Sequence, residues 1–270
     1  YIGTNVERWL LKEPDKYHVE TLDMKDPNWV NFDFSKFDVV FHVAGIAHIK
    51  ETKKNRDLYY KVNRDLAVET AKKAKYLGVK QFIFLSTMSV YGMDKGVITK
   101  DTIPNPKSAY GQSKYEAEMY LKGMESHDFI VTILRPPMVY GEKSPGNYQR
   151  LSRLALKVPF YPKINNQRSM LFIDNLAIFV EYYINNRLGG IYYPQNQEYV
   201  NVTYLITTIR VLNEKKKRET ILFNFLIYLA KLFMPQINKI FDDLIYDEST
   251  KIDIKLIELL ETIKLSDLKK

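Results

Sequence analysis

Tyr110 and Lys114 stand four residues apart, so on a helix a phenol and an ammonium share one face, one turn from each other. A phenol titrates near pH ~10, and acting as a base near neutrality requires lowering that by roughly three units, about 4 kcal/mol of preferential phenolate stabilisation. A fixed cation alongside supplies much of this. The pair could then move a proton to or from a hydroxyl. The same spacing also arises from an ordinary aromatic and a solvated lysine on an amphipathic helix, so the surroundings decide what it means. Upstream lies Ser86-Thr87-Met88-Ser89-Val90-Tyr91-Gly92, a hydroxyl-rich run directly after an apolar segment. A hydroxyl there can hydrogen-bond the substrate oxygen that Tyr110 deprotonates, although Ser and Thr are also common turn formers where strands end.

Several elements must position these groups. Asp38 to Ala44 is a short apolar run ending in Gly45, which predicts a buried parallel strand. Lys80 to Ser86 predicts a second, and Phe129 to Arg135 a third, stopped by Pro136-Pro137. Between them, Asn63 to Tyr76 carries Leu66, Ala67, Ala71 and Ala74 on one helical face. A further helix beginning near Ser108 carries Tyr110, Lys114, Ala117 and Leu121. This alternation predicts an α/β fold, a Rossmann-like doubly wound parallel sheet with right-handed crossovers. In such sheets ligands bind beyond the carboxyl ends of the strands, where Ala44-Gly45, Ser86-Thr87 and Arg135-Pro136-Pro137 fall. After residue 140 the pattern loosens through Gly141 to Gly146 into helices and scattered short strands. Residues 1–140 are therefore expected to form the sheet domain. Residues 141–270 are expected to form mainly a smaller C-terminal substrate lobe, with some segments returning to the sheet. No internal repeat is visible.

The composition is that of a globular chain: 270 residues, 46% hydrophobic and 27% charged. With no cysteine, neither disulfides nor thiolate metal sites are possible, which suits a reducing cytoplasm. The net charge of +8 suits a phosphate-bearing substrate as well as it suits a lysine-rich surface such as Lys72, Lys73 and Lys75. No nucleic-acid motif accompanies it, so no nucleic-acid partner is expected. The start lacks the basic-then-apolar pattern of a signal peptide, and no apolar stretch reaches the ~18 residues of a membrane span. His42 and His48 have no second ligand at useful spacing, so no metal is expected. Lys215-Lys216-Lys217-Arg218 precedes an apolar stretch, Ile221 to Met234. Residues 215–234 could touch a membrane surface weakly, or simply cap the substrate lobe.

Tyr1-Ile2-Gly3, Leu22-Asp23, His42-Val43-Ala44-Gly45, Asn63, Ser86-Thr87 through Gly92, Tyr110/Lys114, Leu134-Arg135-Pro136-Pro137-Met138-Val139-Tyr140-Gly141 and Arg168 ahead of Phe172-Ile173-Asp174 form an ordered set over roughly two-thirds of the chain. In order and spacing the set resembles the extended short-chain dehydrogenase/reductases of the NAD-dependent epimerase/dehydratase group. The resemblance implies Tyr110 as acid/base and Thr87 as its hydroxyl partner. It implies that Lys114 holds the nicotinamide ribose and depresses the Tyr110 pKa. Gly3, with Ile2 beside it, would be the last glycine of the dinucleotide loop, where a missing side chain lets helix and strand pack closely. Asp23 would bind the adenosine ribose, which favours NAD over NADP. Ala44, Gly45 and Pro137 would line the cofactor, with Asn63 supporting the loop. Arg168 would grip the substrate diphosphate, a role for a planar fork, or else be a surface arginine. Ser89 and Asn147 would contact the sugar.

Departures from the family pattern carry expectations too. The chain opens inside the glycine motif, so the first strand and first two glycines are expected to be missing here and NAD binding to be weak. The stretch from Asp23 to Asp38 is shorter than usual, leaving the adenine-contacting acidic turn absent or reduced to the Asp33 region. Met138 replaces a customary Asn, with Asn147 a substitute contact, which leans toward the Leu-Arg-Pro-Pro subgroup acting on amino sugars of surface polysaccharides. The resemblance implies a 4-epimerase for a sugar on a nucleotide or lipid diphosphate: Tyr110 deprotonates the 4-hydroxyl while NAD takes hydride from C4, which later returns to the other face. Met88 and Ser89 stand where a dehydratase carries an acidic pair, disfavouring dehydration. A 4-keto-sugar reductase or dehydrogenase, and a non-catalytic binding subunit, remain alternatives. A homodimer paired through helices including the Tyr110 one is expected by analogy, in the cytoplasm or peripheral at the inner membrane face.

Overall fold

The computed structural model describes residues 1–47, 49, 51–222, 224–225 and 241–267. His48 therefore lies outside the described residues, as do Phe223 and residues 226–234 of the basic-apolar stretch. The chain divides into two compact units. The first comprises Tyr1–Gly92, Ile103–Pro136 and Leu176–Pro194, and the second Met93–Thr102, Pro137–Asn175 and Gln195–Lys270. One crossing, between Pro136 and Pro137, lies near the expected division at residue 140, after which some segments are expected to return to the sheet domain. Residues 93–102 belong to the second unit although they precede it, and 176–194 to the first although they follow it.

The first unit is built on a four-stranded parallel sheet in the order Val39–His42, Gln81–Leu85, Ile130–Leu134, Gly190–Tyr192. The second of these strands is buried along its whole length, which is why its sequence is nearly continuous apolar rather than alternating. Its polar exception, Gln81, donates from Nε2 to Thr132 Oγ1 at 2.9 Å and to the Tyr183 carbonyl at 3.1 Å. Register pairs His42 with Phe84, Leu85 with Leu134, and Leu134 with Tyr192, so the carboxyl ends align on one edge. Ala67, Ala71 and Ala74 give their helix a smooth face, and Phe82, Phe84, Ala117, Leu121, Phe129, Val131 and Ile133 complete the core.

The helix expected from Asn63 starts earlier. Arg56–Tyr60 is α-helical, Lys61–Asp65 widens into a π turn, and Leu66–Tyr76 resumes the α form. The expected strands are likewise shorter at both ends than the apolar runs that announced them, because outer residues of such runs turn into loops before the ladder ends. From Asp23 to Asp38 the chain makes two short 3-10 turns, Pro27–Asn31 and Phe34–Lys36, capped by Asp26 and Asp33.

Among its described residues the second unit contains three two-stranded parallel ladders: Gly96–Ile98 with Leu244–Tyr246, Met138–Tyr140 with Met170–Phe172, and Tyr161–Pro162 with Glu219–Thr220. Its helices include Asn147–Lys157, Val202–Leu212 and Leu259–Asp267. Buried Asn196 ties it together, accepting from Phe172 N at 3.0 Å and Asn175 Nδ2 at 2.9 Å while donating to the Tyr140 hydroxyl at 2.9 Å. Of the stretch expected to cap the lobe or touch a membrane, Ile221, Leu222 and Phe225 have exposed side chains. No helix among the described residues is long and apolar enough to cross a membrane.

Candidate active site

Strand Gln81–Leu85 delivers Ser86 and Thr87 to the carboxyl edge of the sheet in the first unit. Thr87 is extended, and its Oγ1 accepts from Ser89 N at 3.1 Å, capping the 3-10 turn Met88–Tyr91. Helix Ala109–Lys122 starts beside this turn, with Ser108 Oγ accepting from Gly111 N at 3.1 Å. Gly111 explains how close the two come: a Cβ there would lie 2.6 Å from the Ser89 carbonyl oxygen. Bare backbone at this position lets the helix start approach the turn, and the Thr87 side chain acts on the Tyr110 phenol to lower its pKa. The Tyr110 ring meets Tyr59 edge to face, 6.5 Å between centroids.

Lys114 follows one turn on and is buried. Its ammonium donates to the Leu85 carbonyl at 2.9 Å and lies 4.5 Å from the centre of the Phe84 ring. Burial pushes its pKa down to about 7, against the opposing charge of Glu118. Tyr110 moves the other way: burial holds its phenol above the usual value, the Thr87 hydrogen bond only partly offsetting this and Tyr59 adding to it. The expectation that Lys114 depresses the Tyr110 pKa is therefore corrected for the ligand-free protein. The ammonium is spent on a backbone carbonyl and is itself close to losing its proton, so desolvation of the phenol dominates.

Gly45 sits against both partners of the loop. A Cβ on it would come 2.9 Å from Asn63 Oδ1 and 3.2 Å from Lys114 Nζ. Buried Asn63 clamps Ile46 through both its backbone groups, at 2.8 and 3.1 Å, and reaches Ser113 Oγ at 3.1 Å. The π turn carries Asn63 into this position, a common use of such turns. Ala44 is half-buried and Gly45 exposed. Gly3, in helix Ile2–Leu10, would place a Cβ 3.2 Å from Val43 Cγ2, so the helix start lies close to the end of strand Val39–His42. Ile2 is half-buried beside it, and exposed Asp23 accepts from Lys25 N at 3.0 Å. Ser89 is exposed.

A buried ionic cluster escaped the sequence reading. Glu118, one turn beyond Lys114, receives Arg135 Nε at 3.1 Å and Nη2 at 2.5 Å, together with the Ser86 hydroxyl. Arg135 Nη1 also donates to the Tyr91 hydroxyl at 2.7 Å. The signal was present in the Lys114-x-x-x-Glu118 spacing, but a carboxylate on a helix looks the same whether it faces water or core. His42, at the end of its strand, is buried with Nε2 unpartnered. Burial, with the nearby Lys114 charge, pushes its pKa down to about 3, so it is neutral at any ordinary pH.

The remaining expected residues belong to the second unit. Pro137 is buried, and Asn147 is the exposed first residue of helix Asn147–Lys157. Arg168 donates from Nη1 to the Asp242 carbonyl at 2.8 Å. Burial lowers its pKa while Asp242, Asp94 and Asp243 oppose that shift. Among the described residues, no group of three or more His, Cys, Asp or Glu side chains is placed to hold a metal ion.

A family model described as "NAD dependent epimerase/dehydratase family" matches residues 4–192. A UDP-glucose 4-epimerase of Vibrio cholerae is 33% identical over 189 residues, 66% of this chain and 57% of that protein. An N-acetyl-α-D-glucosaminyl-diphospho-ditrans,octacis-undecaprenol 4-epimerase of Escherichia coli O157:H7 is 27% identical over 201 residues, 72% of this chain and 60% of that protein. The match thus spans less than two-thirds of either relative. A solved UDP-glucuronic acid 4-epimerase from Bacillus cereus in complex with NAD superposes with a TM-score of 0.67 at 20% identity, covering 88% of this chain and 76% of that one. At that identity the likeness speaks to fold.

Proposed function

Because this chain belongs to the NAD-dependent epimerase/dehydratase family, we propose that it inverts the 4-hydroxyl of a sugar carried on a diphosphate, with NAD as the cofactor. The observation that carries the reading is buried Tyr110, with a Thr87 hydroxyl that favours its phenolate and Lys114 one turn away, at the carboxyl edge of a parallel sheet. A nucleotide or lipid diphosphate carrier is suggested by what the two relatives are named for.

The residues present fit a dinucleotide. Exposed Gly45 leaves bare backbone over Lys114 and Asn63 where any side chain would intrude, and Gly3 leaves the start of its helix equally bare. Gly45, Ala44, Lys114, Gly3, Ile2 and Pro137 would hold the cofactor, and Asp23 would take a ribose. When bound, NAD supplies the acceptance and return of a hydride.

The protein's own part is protonic. The Thr87 hydroxyl favours the Tyr110 phenolate, so a sugar hydroxyl placed between them would meet a donor on one side and a base on the other. Tyr110 takes the proton from that oxygen and returns it after the sugar has turned over. Lys114 must be charged to favour the phenolate, and ligand hydroxyls or phosphates brought near it would restore the proton that burial weakens. Ser89 and Asn147 are proposed contacts to the sugar, and Arg168 to the diphosphate. A homodimer belongs to the same proposal.

The test is to incubate the protein with NAD and a panel of UDP-hexoses, UDP-N-acetylhexosamines and lipid-diphosphate N-acetylglucosamine. The expected result is appearance of a 4-epimer by NMR without net change in reduced nicotinamide. Net oxidation or reduction would replace the epimerase by a reductase or dehydrogenase. No turnover with any member of the panel would sink both.

A further inference from the structure

We propose that a face of the second unit, formed by the basic run Lys215–Arg218 and the apolar side chains of Phe160, Ile221, Leu222 and Phe225, docks on an anionic lipid bilayer. The proposal stands apart from the catalytic reading, since it concerns binding without substrate.

The face is built rather than incidental. Helix Val202–Leu212 ends in a tight reversal in which Glu214 takes φ +56° and Lys215 N donates to the Arg210 carbonyl at 2.8 Å. Buried Arg210 then fixes the basic run and the end of the neighbouring helix: its Nε donates to the Lys216 carbonyl at 2.8 Å, and its Nη1 to the Ala155 and Val158 carbonyls at 2.6 and 2.8 Å. The run's backbone is thereby anchored, while its four cationic residues are exposed. The parallel pairing of Tyr161–Pro162 with Glu219–Thr220 brings Phe160 alongside, its ring centre 5.6 Å from the Arg218 guanidinium carbon. Asn224 Nδ2 donates to the Lys163 carbonyl at 2.8 Å, holding the next stretch at the same edge.

Leu222 is 81% exposed, Phe225 72% and Ile221 69%; among the described large apolar side chains only Tyr76 and Ile103 exceed Leu222. Three such side chains within five residues, with Phe160 beside the run that precedes them, go beyond the scattered exposed apolar residues of an ordinary surface. Charge selects the occupant. Lys163 pairs with Glu219 at 3.3 Å, leaving Glu214 as the acidic residue flanking the four cations. Cations alone would suit any polyanion, and apolar tips alone would suit a protein groove. Together on one edge they match a bilayer surface, where anionic headgroups attract Lys and Arg and the acyl boundary accepts apolar tips. A nucleic acid offers the phosphates without an apolar layer.

The test is co-sedimentation of the protein, without substrate, with phosphatidylglycerol vesicles and with phosphatidylcholine vesicles. Binding is expected to the former at low salt, weakening as salt rises. The bound fraction should fall about tenfold or more in Lys215→Glu/Lys216→Glu/Lys217→Glu and, independently, in Ile221→Ser/Leu222→Ser/Phe225→Ser. Both sets change exposed side chains, so melting temperatures should match wild type; if either does not, the single changes Lys216→Glu and Leu222→Ser replace it. No binding to phosphatidylglycerol overturns the proposal, as does binding that neither variant weakens. Loss confined to the charge variant, with equal binding to heparin, would mean a general polyanion surface instead. Self-association without vesicles, abolished by the serine variant, would mean that a second copy covers this face.

Discussion

Lys114 and Arg168 are both cations proposed to serve ligands, and the two units differ in the acidic groups they set around them. Lys114 is buried against a carbonyl and an aromatic ring, and the nearest carboxylate, Glu118, is already taken by Arg135. Arg168 has a carbonyl partner and three aspartates in its field. The first charge is under-compensated, so it is free to be restored by an incoming ligand. The second is also disfavoured chiefly by burial, but Asp242, Asp94 and Asp243 oppose that shift, so a diphosphate must compete with three carboxylates. Burial lowers both pKa values, but one carboxylate opposes it at Lys114 and three at Arg168, although in sequence both are a basic residue near a family motif.

The sharpest way to break this contrast is to remove what Lys114 is meant to serve. Tyr110→Phe should lower turnover by on the order of 10²-fold or more while cofactor binding stays near normal, the scale of a lost general acid/base. Steady-state kinetics with NAD titration would decide it, and unchanged turnover would remove the reason for a buried cation there.

Next in size is the close approach that places Tyr110. Gly111→Ala puts a methyl 2.6 Å from the Ser89 carbonyl oxygen, which backbone cannot yield easily. A loss of about 1–3 kcal/mol is expected, read as a lower melting temperature. A variant as stable as wild type would show the helix start to be looser than its geometry.

Lys114 itself offers a test of sign. Its pKa is about 7 folded and near 10.5 unfolded, so the unfolded chain binds the proton more readily. The resulting destabilisation is fully present below pH ~7 and fades as pH rises toward 10.5. Below neutrality a pKa difference of that size corresponds to up to about 5 kcal/mol, offset in part by loss of the bond to the Leu85 carbonyl, so Lys114→Met should melt several degrees higher than wild type without ligand. The gap should narrow in alkaline buffer. A gain that does not depend on pH would mean that packing, not charge, separates the two side chains.

The smallest effect is expected in the second unit. Arg168→Lys should raise KM for a sugar diphosphate several-fold with a smaller change in kcat, as a point charge replaces a fork. Equal KM values would leave Arg168 a structural partner of its aspartates.

How legible each feature is in the sequence depends on how locally it is encoded. A strand buried on both faces, such as Gln81–Leu85, announces itself as an unbroken apolar run, and Tyr110 and Lys114 need only a helix to share a face. Glu118 was invisible because its partner Arg135 comes from a different element, and helix periodicity does not say which carboxylate turns inward. The raised Tyr110 pKa is hidden for a related reason: desolvation is a sum over the whole fold, whereas spacing shows only that Lys114 lies one turn away. Phe160 looked unrelated to Arg218 until a two-residue ladder, too short to show in composition, placed them together.

The interleaving of the two units has a consequence for how the chain folds during synthesis. Strand Gly96–Ile98 has its ladder partner at Leu244–Tyr246, and strand Ile130–Leu134 lacks its outer neighbour until Gly190–Tyr192 has been made. At translation rates of about 5–20 residues per second, the first of these waits lasts on the order of ten seconds. For that interval the nascent chain carries β-competent segments with open hydrogen-bonding edges, the groups that recruit other chains when left uncovered. Slow steps in refolding, and dependence of yield on chaperones, should therefore trace to these long-range parallel pairings rather than to the helices around Tyr110, whose contacts are complete much earlier in the chain.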